Sequence, residues 1–192
     1  MTDDRWLTAD QMSAWKKLIA VVELLPGTLE SQLRRDADLN HFEYFTMAML
    51  SEAPERMLRM TALASLTNAT LARLSHVVSR LEQRDFVHRE PCAEDRRATN
   101  ATLTANGWAK VVATAPGHVA TVLQKVIDPL TPADVADLDR IMGRILAALD
   151  PSNVCGFPTQ PGDRAANGEF EDPTPARDLG AYRSPVPHGG AN

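Results

Sequence analysis

The sequence predicts a mainly α-helical fold with one small β-hairpin, on three observations. Apolar residues recur at helical spacing through most of residues 5–149. Two short segments, 86–90 and 99–103, have the composition and length of strands instead. From Asp150 onward, seven Pro and six Gly occur among 43 residues without a sustained period. We therefore expect residues 150–192 to form a disordered or extended tail.

Three helices are predicted in the first third of the chain. The first starts at a capping box, Thr8–Gln11, and continues past Pro26-Gly27, where we expect a kink because proline lacks an amide donor. A second helix is predicted over 42–53, and a short amphipathic helix over 60–66. The inner face of the second helix is expected to carry Phe42, Phe45, Met49 and Leu50.

A polar turn, 67–70, leads into an amphipathic helix that has one apolar and one polar face. The apolar stripe contains Leu71, Leu74, Val77, Val78 and Leu81. The opposite face carries Thr70, Arg73, His76 and Arg80. Asn68 is expected to cap this helix. Two short helices joined by a tight turn, the second with an arginine-bearing face, indicate a helix-turn-helix.

The two predicted strands follow this motif and are joined by a polar link, 91–98, with charges at its tip. A hairpin in that position is a wing, so the fold class becomes a winged helix-turn-helix.

Two further helices are predicted after the wing. The first begins at Thr104, with a bend expected at Pro116-Gly117, and the second begins at Thr131-Pro132. The last helix has a helix-pairing seam of Val135, Leu138, Met142, Ile145 and Leu149. Because only 5% of the residues are aromatic, we expect the first helix and these two to pack against a second copy of the chain. Packing within an internal core is the alternative.

The charge distribution singles out one basic segment. The chain has a formal net charge of -5. Residues 1–55 contribute -5, 98–149 contribute zero, and 150–192 contribute -3, whereas 56–97 carry eight arginines against five acids, or +3. Arginine suits phosphate and guanine because its planar fork donates two parallel hydrogen bonds. On charge alone, DNA contact and a solvated arginine-rich face remain equally open.

Several classes of protein are disfavoured. No stretch approaches 18 uninterrupted apolar residues and the sequence opens without a basic and apolar leader, so we expect no membrane span and a cytoplasmic location. Scattered histidines and the lack of a phosphate loop or nucleophile elbow predict no catalytic site, metal or cofactor. Cys92 and Cys155 are expected to be incidental, although oxidation of an exposed Cys92 would blunt DNA binding.

The arrangement resembles the MarR (multiple antibiotic resistance regulator) family of winged-helix transcription regulators. The most specific match is the wing, which reads Asp95-Arg96-Arg97, five residues, Leu103-Thr104, and then Ala105-Asn106-Gly107. Residues 50–60 and 73–84 are also similar. One departure is Asp85, where relatives often have glycine, so either a left-handed backbone or another turn is expected there.

The resemblance implies a homodimer that regulates transcription, more readily as a repressor, under the control of an unidentified small-molecule effector. Its parts are an N-terminal dimerisation helix (1–36), a DNA-binding domain (37–104) and C-terminal dimerisation helices (105–149). Two-fold symmetry implies double-stranded DNA with an inverted-repeat operator, whose half-sites lie about 10 bp apart. The alternative is an interaction dimer that keeps the scaffold without reading DNA.

The resemblance also assigns roles to residues. Arg97 is expected to enter the minor groove, oriented by Asp95, with Arg96 on a phosphate. Thr70 and Arg73 are expected at base edges, with capping of the helix as the alternative for Thr70. Arg80 and Arg84 are expected at phosphates or in ion pairs with acids on their own helix. His76 is equally compatible with DNA contact and with a plain surface position. The candidate effector pocket contains Trp15, Phe42, Phe45, Met49 and Trp108, all of which equally suit the core.

Overall fold

The computed structural model describes residues 6–92, 95 and 97–151, and the predicted tail beyond 151 lies outside the described residues. The helices are α1 (Ala9–Ala37), α2 (His41–Glu52), α3 (Met60–Leu66), α4 (Leu71–Gln83), α5 (Ala105–Val122) and α6 (Pro132–Leu149). The strands are β1 (Met57–Arg59), β2 (Val87–Pro91) and β3 (Thr99–Leu103). A 3-10 turn, Pro54–Arg56, precedes β1, and a π-helical turn, Leu123–Ile127, extends α5.

Side-chain caps define where the helices begin. The predicted start of α1 is confirmed by a reciprocal capping box between Thr8 and Gln11, and α6 begins with the same arrangement at Thr131. A third box, formed by Asn40 and Glu43, starts α2 one residue earlier than the sequence predicts. The α1 helix continues through Pro26 and ends at Asp38, whose left-handed φ of 51° closes the helix.

The prediction for the inner face of α2 is confirmed for Leu50, Phe42 and Met49 and was wrong for Phe45. Leu50 is fully buried and Phe42 and Met49 are half-buried against the hydrophobic core, whereas Phe45 is half-buried without being one of the residues packed on it. The buried residues of this helix are Glu43, Tyr44, Thr46, Met47 and Leu50. The Glu43 carboxylate is buried on this side of the helix, where it accepts hydrogen bonds from Asn40 and Arg80, and the apolar pattern of the sequence does not reveal its burial.

Three antiparallel strands form one sheet in the order β1-β3-β2. The predicted hairpin is present, with Val87 opposite Leu103 and Pro91 opposite Thr99. The sequence analysis missed β1, which pairs Leu58 with Ala101 on the other edge of β3. The sheet therefore continues directly from the wing to the residues that start α3.

The helix-turn-helix packs into one hydrophobic cluster of buried residues. The fully buried members with large side chains are Leu33, Leu39, Met47, Leu50, Leu63, Leu74, Val78 and Leu81. They come from α1, α2, α3, α4 and the connection between α1 and α2, and Ala101 of β3 also belongs to the cluster. Leu71 is an exception to the predicted apolar stripe of α4, since it is 47% exposed at the first position of the helix.

Residues 6–24, which lead into and form the first part of α1, and the last helix leave large apolar side chains exposed. Trp6, Trp15 and Leu24 are 82%, 51% and 71% exposed, and Leu149 is 76% exposed. In α6, all of which is described, only Gly143 is buried. The members of the predicted seam are half-buried or exposed. Among the described residues, no helix has the length and apolar character needed to cross a membrane.

Gly107 lets α5 approach the turn after α4. A Cβ atom at this position would lie 2.0 Å from the backbone carbonyl oxygen of Phe86, which is far inside van der Waals contact. Gly27, by contrast, lies in the middle of α1 with nothing within 4 Å of such an atom.

We therefore expect alanine to have opposite effects at these two glycines. Gly107→Ala should lower the free energy of unfolding by about 1–3 kcal/mol because backbone atoms have to move. Gly27→Ala should raise it by up to about 1 kcal/mol through helix propensity. Urea unfolding followed by circular dichroism measures both changes, and a Gly107→Ala variant as stable as the parent would contradict the close approach.

Candidate nucleic-acid interface

The turn between α3 and α4 is closed by backbone hydrogen bonds. Asn68 and Ala69 donate their amide N–H groups to the carbonyls of Ser65 and Ala64 at 3.0 and 2.9 Å. Asn68 adopts a φ of 46°, which asparagine tolerates better than most residues. The cap of α4 is Thr70, whose Oγ1 accepts the amide of Arg73 at 3.2 Å. The expectation that Asn68 caps the helix was therefore wrong.

The four residues proposed for the outer face of α4 all lie on an exposed surface: Thr70, Arg73, His76 and Arg80. Behind them, Leu74, Val77, Val78 and Leu81 are buried. The guanidinium of Arg73 lies 4.4 Å from the centre of the Phe42 ring, so α2 supports it from below. The face is thus presented by a helix whose other side is fixed in the core.

Arg80 is bound to α2 rather than to an acid on its own helix. Its Nε donates to Oε1 of Glu43 at 3.0 Å, and Oε2 of that carboxylate accepts the amide of Asn40 at 3.0 Å. The Glu43 side chain is only 9% exposed, whereas that of Arg80 is 53% exposed. A DNA role for Arg80 thus depends on its outward surface, while its Nε fixes the orientation of α4.

Arg84 connects the end of α4 to the end of α1. Its Nη1 donates to the carbonyl oxygen of Asp38 at 2.9 Å and its Nη2 to the Asp38 carboxylate at 3.2 Å. The guanidinium also lies 4.9 Å from the Phe86 ring centre. Like Arg80, it pairs with an acid on another element, so the intrahelical alternative was wrong for both arginines.

Arg89 of β2 connects the wing to α4. Its amide donates to Oε1 of Glu82 at 2.9 Å, its Nε to Oε2 at 2.8 Å, and its Nη2 to Ser79 at 2.9 Å. The hydrogen bonds from Arg89 lower the pKa of the Glu82 carboxyl below its usual value. This bidentate contact holds the wing against the helix.

The turn at Asp85 completes the same connection. Asp85 has a φ of 56°, so the left-handed alternative predicted for this departure from the family pattern is the one observed. Asn106 donates to its carboxylate at 2.6 Å, and Thr104 Oγ1 donates to its carbonyl at 2.6 Å. These contacts stabilise a backbone conformation that glycine adopts without help.

Two of the three proposed wing-tip residues are described. Asp95 Oδ1 accepts the backbone amide of Arg97 at 3.0 Å, and Arg97 is exposed. Asp95 therefore shapes the backbone at Arg97, whereas the resemblance implies that it orients the guanidinium. Arg96 lies outside the described residues. Cys92, at the base of the wing, is buried, so the exposed thiol considered from the sequence is not present.

The five candidate pocket residues have different surroundings. Trp15 is half exposed on α1, and Phe45 stacks on His41 with ring centres 6.2 Å apart. Phe42, Met49 and Trp108 pack against the hydrophobic cluster, and the guanidinium of Arg56 lies 3.9 Å from the Trp108 ring centre. A role in effector binding stays a prediction for these residues.

A polar group of side chains that the sequence analysis did not single out lies where α1, α2 and α5 meet. His118 packs on Tyr44 with ring centres 4.8 Å apart, and its Nδ1 is buried without a partner among the described residues. The Oε1 atom of Gln32, a residue that is 3% exposed, is also buried without a partner among the described residues. Burial lowers the pKa of His118 and of His41, and the charge of His41 lowers that of His118 further.

Two side-chain contacts could not be predicted from the sequence because the partners are far apart along the chain. Glu43 meets Arg80 across 37 positions, and Arg59 meets Cys92 across 33. A signal existed only for Glu43, because Asn40 three positions earlier completes a capping box that can be recognised in a sequence. Among the described residues, no group of His, Cys, Asp or Glu could hold a metal ion.

The fold and the exposed face of α4 define a winged helix-turn-helix protein. A model of the MarR family matches residues 39–99. Sco3205, a MarR family transcriptional regulator from Streptomyces coelicolor solved in complex with DNA, is 42% identical over 80% of this chain and 96% of its own, with a TM-score of 0.75. AbsC, a MarR family transcriptional regulator from the same organism, is 37% identical over 77% and 99%, with a TM-score of 0.73.

The chain belongs to the MarR family of transcriptional regulators, and it is not an enzyme. A mutant of MarR from E. coli, complexed with operator DNA, shares the fold at 19% identity over 74% of this chain and 99% of its own, with a TM-score of 0.64. A comparison with curated protein sequences gives no significant match.

The two histidines at the junction of α1, α2 and α5 predict a loss of stability on acidification. Because the pKa values of His41 and His118 are lowered below the ordinary 6.5, the unfolded chain takes up protons below that pH while the folded chain resists them. The contribution of the neutral histidines to the free energy of unfolding is complete above pH 6.5 and decreases as the pH falls below 6.5. Thermal unfolding at about pH 7.5 and about pH 5.5 should therefore give a lower melting temperature in acid.

Replacing each histidine tests this cause. His118→Phe keeps an aromatic ring beside Tyr44 and removes the titrating group, so the difference in melting temperature between the two pH values should shrink. His41→Phe should shrink it as well, since His41 has the same buried setting. A difference as large as that of the parent in both variants would contradict the assignment.

Proposed function

We propose that this transcriptional regulator is a homodimeric repressor that binds an inverted-repeat operator in double-stranded DNA and responds to a small-molecule effector. The observation that carries the DNA-binding part is the exposed face of α4, with Arg73 at its first turn, beside a wing that exposes Arg97. Similarity to Sco3205, solved in complex with DNA, supports it.

The dimensions of the motif suit B-form DNA. With 13 residues, α4 is about 20 Å long. An α-helix with its side chains is about 10–12 Å in diameter, which fits the major groove of about 12 Å. The first turn of a recognition helix comes nearest the base edges, where Thr70 and Arg73 lie. Arg97 is then available for the adjacent minor groove, where a narrow groove attracts arginine.

The exposed apolar residues of α1 and α6 support dimerisation. Trp15 and Leu24 on α1 and Leu149 on α6 expose large apolar side chains, and the seam of α6 is exposed or half-buried along its length. A second copy packed on these helices would remove this surface from water. Two-fold symmetry then requires two recognition helices and an inverted-repeat operator.

The junction of α1, α2 and α5 supports an effector response. It joins two of the proposed dimerisation helices to α2, and α2 holds Arg73 through Phe42 and Arg80 through Glu43. A molecule that displaced α2 would therefore move α4 relative to its symmetry mate. Repression is the sign of regulation that the resemblance to the MarR family favours.

Loss of the wing arginine tests DNA binding directly. Arg97→Ala should weaken binding to an operator selected from random duplexes, because a minor-groove contact is lost. Fluorescence anisotropy across a salt series measures the affinity of the parent and the variant. Arg140→Ala, which removes an exposed arginine paired with Asp137 on α6, is the matched control and should bind as the parent does.

The same series distinguishes the alternative of an interaction dimer. For a DNA-binding dimer, the logarithm of the binding constant falls with that of salt concentration by about 0.9 per phosphate neutralised. A parent protein that binds no duplex at any salt concentration, while remaining a dimer by light scattering, would support the interaction dimer instead.

Arg73 is expected to read a base. Arg73→Ala should remove about 1–3 kcal/mol of discrimination at one position of each half-site, measured by competition among operators with single base changes. Since Arg73 also stacks on Phe42, the unfolding midpoint of the variant has to be checked alongside. A loss that is equal for all sequences would make Arg73 a phosphate contact.

A further inference from the structure

The first turn of α4 exposes one large apolar side chain among polar and small ones. Leu71 is the first residue of the helix and is 47% exposed. Its neighbours Thr70, Ala72 and Arg73 are exposed as well. The other apolar residues of the stripe predicted for this helix begin at Leu74 and are all buried. Leu71 therefore belongs to the exposed end of the helix rather than to its core face.

The surroundings of Leu71 leave its side chain open on the side of the wing. It lines an open cleft of ≈ 170 Å³ between α4 and the wing, together with Ser75 of α4 and Thr99 of β3. Among the described residues, the hydrophobic cluster and the half-buried side chains packed against it do not include Leu71. The apolar surface that it exposes is therefore left to water in the free protein, and only a partner can cover it.

The chemistry of the major groove limits what an apolar side chain can contact there. Guanine, adenine and cytosine present hydrogen-bonding groups in this groove, whereas thymine presents a C5-methyl group beside its O4 acceptor. A leucine placed over hydrogen-bonding groups would take them out of water without replacing their hydrogen bonds, which is unfavourable. Against the methyl group of a thymine, two apolar surfaces leave water together. Thymine is therefore the base that complements Leu71.

We propose that Leu71 contacts the C5-methyl group of one thymine in each half-site of the operator and so contributes to sequence recognition. The proposal rests on the DNA-binding function argued above and adds a specificity residue to it. Leu71 lies on the side of α4 that faces the wing, whereas Arg73 leans on Phe42 of α2. The two side chains therefore reach different base pairs, one by apolar contact and the other by hydrogen bonds.

Removal of one methyl group from the DNA tests this contact. Replacing thymine by deoxyuridine, one position at a time, deletes the C5-methyl group and keeps the hydrogen-bonding groups of the base. For the parent protein and an operator selected from random duplexes, the loss of one buried methyl group should weaken binding about fourfold at one thymine of each half-site. Fluorescence anisotropy titrations measure the affinity for each duplex.

Variants of Leu71 assign the effect to this residue. Leu71→Ala should bind the thymine and deoxyuridine forms of that position equally well. Leu71→Met keeps an apolar side chain of similar volume, so it should keep the affinity ratio of the parent. Gln83→Ala, which changes an exposed residue at the other end of α4, is the matched control and should keep both the affinity and the ratio.

The ratio of the two affinities is measured within each variant, so a general loss of stability cannot imitate the expected result. If Leu71→Ala proves unfolded by circular dichroism, Leu71→Gln takes its place, because it puts a polar side chain of similar length at the same exposed position. It should also bind the two forms equally well.

Each other outcome has a definite meaning. If the parent binds its operator and no thymine responds to the loss of its methyl group, the contact is wrong while the proposed function stands. A response that persists in Leu71→Ala would belong to another residue and would overturn the proposal. An equal loss on all duplexes with an unchanged ratio would make Leu71 a contact to the sugar–phosphate backbone, which also overturns it. If the parent binds no duplex, the proposed function is wrong as well.

Discussion

The structure depends on a division of α4 into two faces with opposite requirements. Leu74, Val78 and Leu81 are fully buried in the hydrophobic cluster, and truncating a leucine in such a site costs about 2–5 kcal/mol. The opposite face gains nothing from the core and remains exposed. The helix can present polar side chains to a partner only because its buried face fixes both its axis and its rotation.

The arginines of the basic segment 56–97 have two different roles, which the net charge does not distinguish. Arg80, Arg84 and Arg89 each contact a carboxylate on a neighbouring element, and together they fasten α4 to α2, to α1 and to the wing. Arg73 and Arg97 form no ion pair with a described acid. These two arginines present their charge at the start of α4 and at the wing, where the proposed DNA contacts lie.

Local patterns predicted the elements well, and remote contacts decided the rest. The predicted bounds of α3, 60–66, are those observed, because its length, polar flanks and apolar spacing are all local. The strand β1 has three residues and is too short to show alternation. The buried Glu43 of α2 was not predicted, and it pairs with an arginine 37 positions away. No window of sequence contains that pairing.

A modest number of available cations makes two-fold symmetry important to the proposed function. Arg73 and Arg97 are two exposed cations of one protomer, and a dimer presents both of them twice. The binding energy of two half-sites adds, while the loss of translational and rotational freedom is incurred once. A protomer with this surface alone would bind weakly. The apolar residues exposed on α1 and α6 then matter to DNA binding without touching DNA, because they join the two faces.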